Sequence, residues 1–215
     1  MASRDLGALT GPLAAAAFVA SVGGSIKLAG GPPPRPGSAP ADVRKWYDAS
    51  DKAGRVSAIG QVVSLLSVAR FTASVAKVAK RSGSRSLRAA ALAGGAATVA
   101  ALATSAACTA SLTTDRREDD EKAVRLNDTA FAAGGPVHGI GFGVLTGSLA
   151  LAGLRSGELP KPLAVAGLVS AAANLLSPVY FATEKVALLI PIGRFSGLLV
   201  NGIAGGRLAT RRSST

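Results

Sequence analysis

Glycine recurs at every fourth position in one apolar stretch of the chain. Gly135, Gly139, Gly143 and Gly147 lie within AFAAGGPVHGIGFGVLTGSLALAGL (130–154), so on a helix they line one face and leave it without side chains. In water this would be unfavourable, because each glycine costs about 1 kcal/mol of helix stability relative to alanine. In lipid the backbone hydrogen bonds hold the helix, and a bare stripe lets a neighbouring helix approach closely. The stripe predicts a helix that packs inside a transmembrane bundle or against a second copy of the chain.

Composition extends this prediction to the whole chain. The sequence is 48% hydrophobic with mean hydropathy +0.37, and only 17% of residues are charged, against about 25% in soluble domains. The charges are grouped between apolar windows long enough to cross a membrane, which takes about 20 residues. We therefore expect an all-α polytopic bundle forming a single integral-membrane domain, with six spans near 7–27, 56–78, 89–112, 130–154, 162–181 and 186–208.

The first connection, 28–55, is the longest. It opens with a Pro-rich linker, GGPPPRPGSAP, and continues into a short amphipathic helix in which Val43, Trp46 and Tyr47 share one face. We expect this helix to lie along the membrane surface with that face in the lipid. The first window resembles a signal peptide, but its length and the five windows after it favour an uncleaved span.

The basic residues suggest an orientation and a lipid contact. With both termini cytoplasmic, the two sides carry equal numbers of Lys and Arg, but the inner loops are short and almost free of acids. The net charge of +12 does not indicate nucleic-acid binding, because the cations sit at the ends of apolar windows. We expect a plasma-membrane protein whose second connection binds anionic lipid headgroups through Lys77, Lys80, Arg81, Arg85 and Arg88.

Few residues suggest site chemistry. Cys108 and His138 are the only residues of their types, which argues against a disulfide and against a cysteine- or histidine-based metal site. No P-loop, GxSxG or Ser/His/Asp arrangement occurs, so we expect no enzyme, no catalytic residues and no cofactor. Glu158 and Glu184 are the only acids near a membrane boundary that would suit the weak alternative of a membrane enzyme.

Polar residues inside the predicted spans leave two interpretations open. His138, Asn174, Arg194 and Asn201 could line a polar path, since ionisable groups within a membrane are candidates for function. Alternatively, His138 bonds a carbonyl freed by Pro136, the asparagines join helices, and Arg70 and Arg194 extend towards the interfaces.

Several short motifs carry a resemblance. They are DVRKWYDASDKAGRVSA in the first outer loop, Gly94-Gly95 in the third span, the RSGELP turn at 155–160, and Pro191-Ile192-Gly193-Arg194 at the last span. In this arrangement the chain resembles small six-span integral membrane proteins of high-GC Gram-positive (actinobacterial) type. The resemblance implies a six-helix bundle in a plasma membrane and brings no established activity.

The sequence thus predicts a structural or interaction component of the membrane, in contact with lipids and with a second copy or another membrane protein. The alternative is a small transporter or channel with a polar path near His138 and Arg194.

Overall fold

The chain folds into helices, as its composition predicts. The computed structural model describes residues 5–49, 51–114 and 119–211, and within these ranges it contains no strand. This confirms the all-α class. The helices are α1 (Thr10–Ala29), preceded by a 3-10 turn, α2 (Pro40–Ala49), α3 (Asp51–Arg81), α4 (Arg85–Thr114), α5 (Asp120–Ala132), α6 (His138–Arg155), α7 (Lys161–Leu176) and α8 (Leu189–Thr210).

Within the described ranges, five helical segments are long and apolar enough to cross a membrane: Leu6–Ala29, Asp51–Arg81, Arg85–Thr114, Asp120–Arg155 and Lys161–Phe181. Their outer faces expose large apolar side chains, such as Ile59 and Leu66 on α3 and Val169 on α7. Exposed apolar surface on this scale is unfavourable in water and is typical of lipid-facing helices. Length, composition and surface together indicate a multi-pass membrane protein.

The sixth predicted window corresponds to α8, which is not among these five segments. At 22 residues it is about 33 Å long, enough to cross a hydrocarbon core. Arg194 and Asn201 lower its mean hydropathy.

The helices form a closed bundle with two distinct ends. α3 packs against α1 and α4, α6 packs against α4 and α7, and α8 closes the ring between α7 and α1. Asp5 and Arg211 lie at one end, where Asp5 pairs with Lys77 and Arg211 donates to the Gly157 carbonyl. We call this the basic end. At the opposite end, which we call the loop end, α1, α4 and α7 terminate and α5 and α8 begin.

The apolar face of α2 contacts protein rather than lipid. Val43 and Tyr47 are buried with Leu112 and Ala123, so α2 packs on the ends of α4 and α5. The sequence predicts that this face of α2 lies in the membrane surface. The structure differs because α5 begins at Asp120, ten residues before the predicted fourth span, and gives α2 a protein surface to pack against.

α5 and α6 are joined through a bend. A π-helical segment, Ala133–Val137, connects them, and its central Gly135 has φ −103° and ψ −105°, outside helical values. Pro136 follows at once. Because proline lacks an N–H and its ring clashes with the preceding turn, it bends a helix at this position.

Candidate functional site: a cavity beside Arg194

The glycine stripe lies against α7 of the same chain. A Cβ added at Gly143 would lie 3.0 Å from the Ala171 carbonyl oxygen, and one at Gly139 would lie 2.6 Å from Ser177 Oγ. At Gly147 the nearest atom, Ala171 Cβ, would be 3.3 Å away. The bend separates Gly135 from this row, since its nearest neighbour would be 3.9 Å away. Three of the four glycines therefore serve packing within the chain.

A second close helix crossing, between α4 and α6, was not predicted from the sequence. Gly94 of α4 and Gly141 of α6 lie opposite each other, so that a Cβ on either would lie 2.8 Å from the other's carbonyl oxygen. Gly141 lies off the four-residue stripe and faces a different helix. The paired glycines at 94–95 were a signal of close packing, but nothing in the sequence names their partner.

Arg194 of α8 turns inward rather than towards an interface. Its guanidinium donates to the carbonyl oxygens of Gly134 and Gly135 and to His138 Nδ1, the last at 2.9 Å. The Phe18 ring lies against its other side, 4.9 Å from ring centre to guanidinium carbon. His138 accepts at Nδ1, so its ring is the neutral tautomer with hydrogen on Nε2. One of the two interpretations of the sequence has Arg194 extending towards the interface; the structure instead places it among backbone acceptors.

The bend before α6 makes those acceptors available. In the π-helical segment the His138 amide donates to the Ala133 carbonyl, five residues back, and to Gly135, rather than to Gly134 as in an α-helix. The Gly134 carbonyl therefore loses its α-helical donor and accepts from Arg194, which also donates to the Gly135 carbonyl. Arg194 therefore satisfies backbone groups that the bend displaces, which links two segments sixty residues apart in sequence.

The two asparagines of the predicted polar path serve helix contacts. Asn174 Nδ2 donates to the carbonyls of Ser170 and Gly193, at 3.0 and 2.7 Å, and so joins α7 to α8. Asn201 Nδ2 donates to Thr146 Oγ1 at 2.9 Å and joins α8 to α6. Both side chains are almost fully buried. The structure brings His138 and Arg194 together and sets Asn174 beside Gly193, with Asn201 deeper towards the basic end.

Arg194 also lines a partly open cavity of about 240 Å³ at the loop end. Its polar wall includes Gln61 of α3, Asn127 of α5 and hydroxyl groups of α1, α3 and α4. Its apolar wall includes Phe18, Leu102 and Phe131, with Pro33 from the α1–α2 connection and Trp46 from α2. Cavities of this kind, mostly apolar with a few convergent polar groups, are the usual form of a small-molecule site.

The cavity contains a cation without an acidic partner. Among the side chains that the structure describes, which do not include that of Glu184, no carboxylate lies within 4 Å of the Arg194 guanidinium, and its partners are neutral. Arg70, by contrast, lies 3.9 Å from Asp5 at the basic end. A positive charge coordinated by neutral groups in a site of low polarity attracts an anion.

Tyr47 forms part of the cavity wall from α2. Its burial raises its pKa to about 12, while a hydrogen bond with Thr109 acts in the opposite direction. The phenol is thus neutral at physiological pH and leaves Arg194 without a counter-charge from this side of the wall.

The predicted lipid-binding cations lie at the basic end. Lys77 pairs with Asp5 at 3.3 Å, and Arg81 makes a two-point ion pair with Glu158, at 2.6 and 2.7 Å. Lys80, Arg85 and Arg88 are exposed there. Glu158 is engaged by Arg81, and the side chain of Glu184 lies outside what the structure describes. Within the described ranges there is no group of three His, Cys, Asp or Glu side chains that could hold a metal ion.

Comparison with known proteins adds no relative. The chain matches no protein-family model, no curated protein and no solved structure.

Proposed function

We propose that this chain is a six-span plasma-membrane protein, with both termini in the cytoplasm, that acts as a small transporter whose substrate is a small organic anion held in the cavity beside Arg194. The proposal rests on one observation above all: the Arg194 guanidinium, which among the described side chains and backbone bonds only to neutral groups, lines a cavity large enough for an organic molecule.

The electrostatics favour an anion over a neutral ligand. Two opposite unit charges about 4 Å apart attract by about 4 kcal/mol at the effective dielectric constant of a partly buried protein site. The protein supplies no carboxylate within that distance in the parts of the chain that the structure describes. An anionic ligand would therefore gain a charge-assisted, two-point hydrogen bond that water alone does not provide.

The position of α8 supports a sixth span. Arg194, in the second turn of α8, is bonded to backbone carbonyls of the protein, so its charge is not exposed to lipid. On the other face of α8, Ile192, Phe195 and Leu199 are exposed, as on the five apolar segments. Asp5 and Arg211 lie at the same end of the bundle, as an even number of spans requires. The short and almost purely basic inner loops support a cytoplasmic location for that end.

Binding and flux measurements with Arg194 variants test the proposal. The probe is radiolabelled 3-phenylpropionate, a compact aromatic carboxylate, measured first by equilibrium binding to purified protein and then by counterflow in proteoliposomes. We expect Arg194→Gln to weaken binding at least tenfold, since loss of the charge removes more than about 1.4 kcal/mol of the attraction.

Arg70→Gln is the matched control, because Arg70 is a cation of the same chain at the basic end, outside the cavity. Glutamine at 194 retains an N–H donor for the Gly134 carbonyl, so the fold is expected to survive; the reactivity of buried Cys108 verifies this. Equal affinities for wild type and Arg194→Gln would refute the proposal. Binding without counterflow would limit the protein to a receptor.

A structural role in contact with lipids or another membrane protein is the second proposal. Its support is the exposed group Lys80, Arg85 and Arg88 at the basic end, which suits anionic headgroups. The glycine stripe no longer argues for a second copy, because α7 covers it. Native mass spectrometry of the protein from its own membrane tests this role. A co-purifying protein or retained anionic lipid would support it, and a bare monomer would argue against it.

A further inference from the structure

Resting on the proposed function, we infer that the anion enters the site together with one proton, which binds His138 Nδ1. The cotransported ion is thus a proton. Before binding, the pair of His138 and Arg194 carries a single positive charge, because the imidazole is neutral. After binding, the site carries the same charge, since the added proton offsets the charge of the anion.

One nitrogen of Arg194 makes all of its hydrogen bonds with the described residues. Nη2 donates to the Gly134 carbonyl, to the Gly135 carbonyl at 3.4 Å and to His138 Nδ1 at 2.9 Å, which engages both of its hydrogens. Each edge of a guanidinium that holds a carboxylate at two points includes Nη2, paired with Nη1 or with Nε. An anion bound at two points must therefore take a hydrogen of Nη2 from the two carbonyls or from His138.

His138 is the acceptor that can give up this hydrogen at the lower cost. The Gly134 carbonyl has lost its α-helical donor at the bend, so it would be left unsatisfied without Arg194. A histidine nitrogen can instead bind a proton and become a donor. The proton comes from solvent through the partly open cavity that Arg194 lines. The new Nδ1–H then donates to the carboxylate that displaced it.

Arg194 excludes this proton until the anion arrives. The lone pair of Nδ1 accepts from Nη2, and the guanidinium charge lies beside it. The imidazole is held in this position by Phe142, whose ring stacks on it with the ring centres 5.3 Å apart. Elements packed against α6 also carry Arg70, Cys108 and Tyr180, but among the described residues only the charge of Arg194 acts on His138. The anion therefore governs whether His138 can bind a proton.

The pH dependence of 3-phenylpropionate binding tests this coupling. From about pH 7.5 to about pH 6 the carboxyl group of the probe stays ionised, so a change in affinity reports on the protein. Uptake of one proton raises affinity by at most about tenfold per pH unit, and we expect a rise of roughly fivefold or more over this interval. Calorimetry in two buffers of different ionisation enthalpy should show net proton uptake, approaching one proton per anion.

Two variants assign the proton to His138. Asparagine at 138 places an oxygen near the position of Nδ1, which accepts from Arg194 but does not bind a proton. We expect His138→Asn to bind the probe with the same affinity at both pH values and without proton uptake. Tyr47→Phe is the matched control, because Tyr47 lines the same cavity and its pKa of about 12 lies above the interval. This variant should keep the pH dependence of the wild type.

The outcomes separate this inference from the proposed function. If binding requires Arg194 but neither varies with pH nor takes up protons, the coupling is wrong and the anion site stands. If binding does not depend on Arg194, the anion site is wrong as well. If the pH dependence persists in His138→Asn, the proton binds another group and the role of His138 is refuted. Cys108 reactivity verifies in each variant that the bundle is folded.

Discussion

A single methyl group at Gly141 should force α4 and α6 apart. A Cβ there would lie 2.7 Å from the Thr98 amide nitrogen and 2.8 Å from both the Gly94 carbonyl oxygen and Thr98 Oγ1. Ordinary contacts are at least 3.4 Å, so the helices must separate by about 0.6 Å, and two of the three obstructing atoms are backbone. Overpacking of this kind costs about 1–3 kcal/mol.

A second glycine isolates this cost. Alanine also favours the helix over glycine by about 1 kcal/mol, which partly hides the penalty. Gly206 of α8 has no atom within 4 Å of an added Cβ, so Gly206→Ala gains the helical preference without overpacking. The difference between the two variants is therefore the packing penalty alone, about 1–3 kcal/mol in favour of Gly206→Ala.

The sole cysteine provides the assay. Cys108 is buried, so its reaction with a fluorescent maleimide requires the bundle to open. We expect Gly141→Ala to react roughly 5- to 150-fold faster than Gly206→Ala under native conditions, as the free-energy difference demands. Its midpoint of unfolding by sodium dodecyl sulfate should also be lower. Equal rates and equal midpoints would refute the backbone contact between α4 and α6.

Three further predictions concern other parts of the bundle. Gly143→Leu should lower the midpoint of unfolding, because its side chain meets the Ala171 carbonyl at 3.0 Å, whereas Gly206→Leu should change it little. Tyr47 has its pKa raised above the ordinary 10.0 to about 12, so its contribution to stability is complete below about pH 10 and lost as pH rises through 12; a tyrosinate absorbance step near pH 12 should vanish in Tyr47→Phe. A double-mutant cycle of Arg81→Gln and Glu158→Gln should give a coupling of about 0.2–1 kcal/mol that falls with added salt, and zero coupling would show that the ion pair does not stabilise the folded state.

Patterns along single helices were predictable from the sequence. Apolar length and grouped charges predicted the all-α class and the spanning segments, because both depend on local composition. The apolar face of α2 was also visible. The sequence did not show what covers that face, because lipid and a protein surface both favour apolar residues. The early start of α5 at Asp120 determines that protein covers it.

The candidate site depended on contacts distant in sequence. Arg194 and Pro136 were both conspicuous, but their relation is three-dimensional: the bend after α5 turns two carbonyls towards α8, which begins some fifty residues later.

The contact between Arg194 and the Gly134 carbonyl bears on the order in which the protein is made. A cation placed alone in a nascent span opposes membrane insertion, by about 2.5–3.5 kcal/mol at the helix centre and by less nearer the end, where Arg194 lies. The residues that relieve this cost leave the ribosome earlier, so the acceptors are in place before the last helix emerges. The final helix, α8, thus inserts against segments that are already assembled. A truncation that removes the bend at 133–137 should therefore leave α8 outside the membrane.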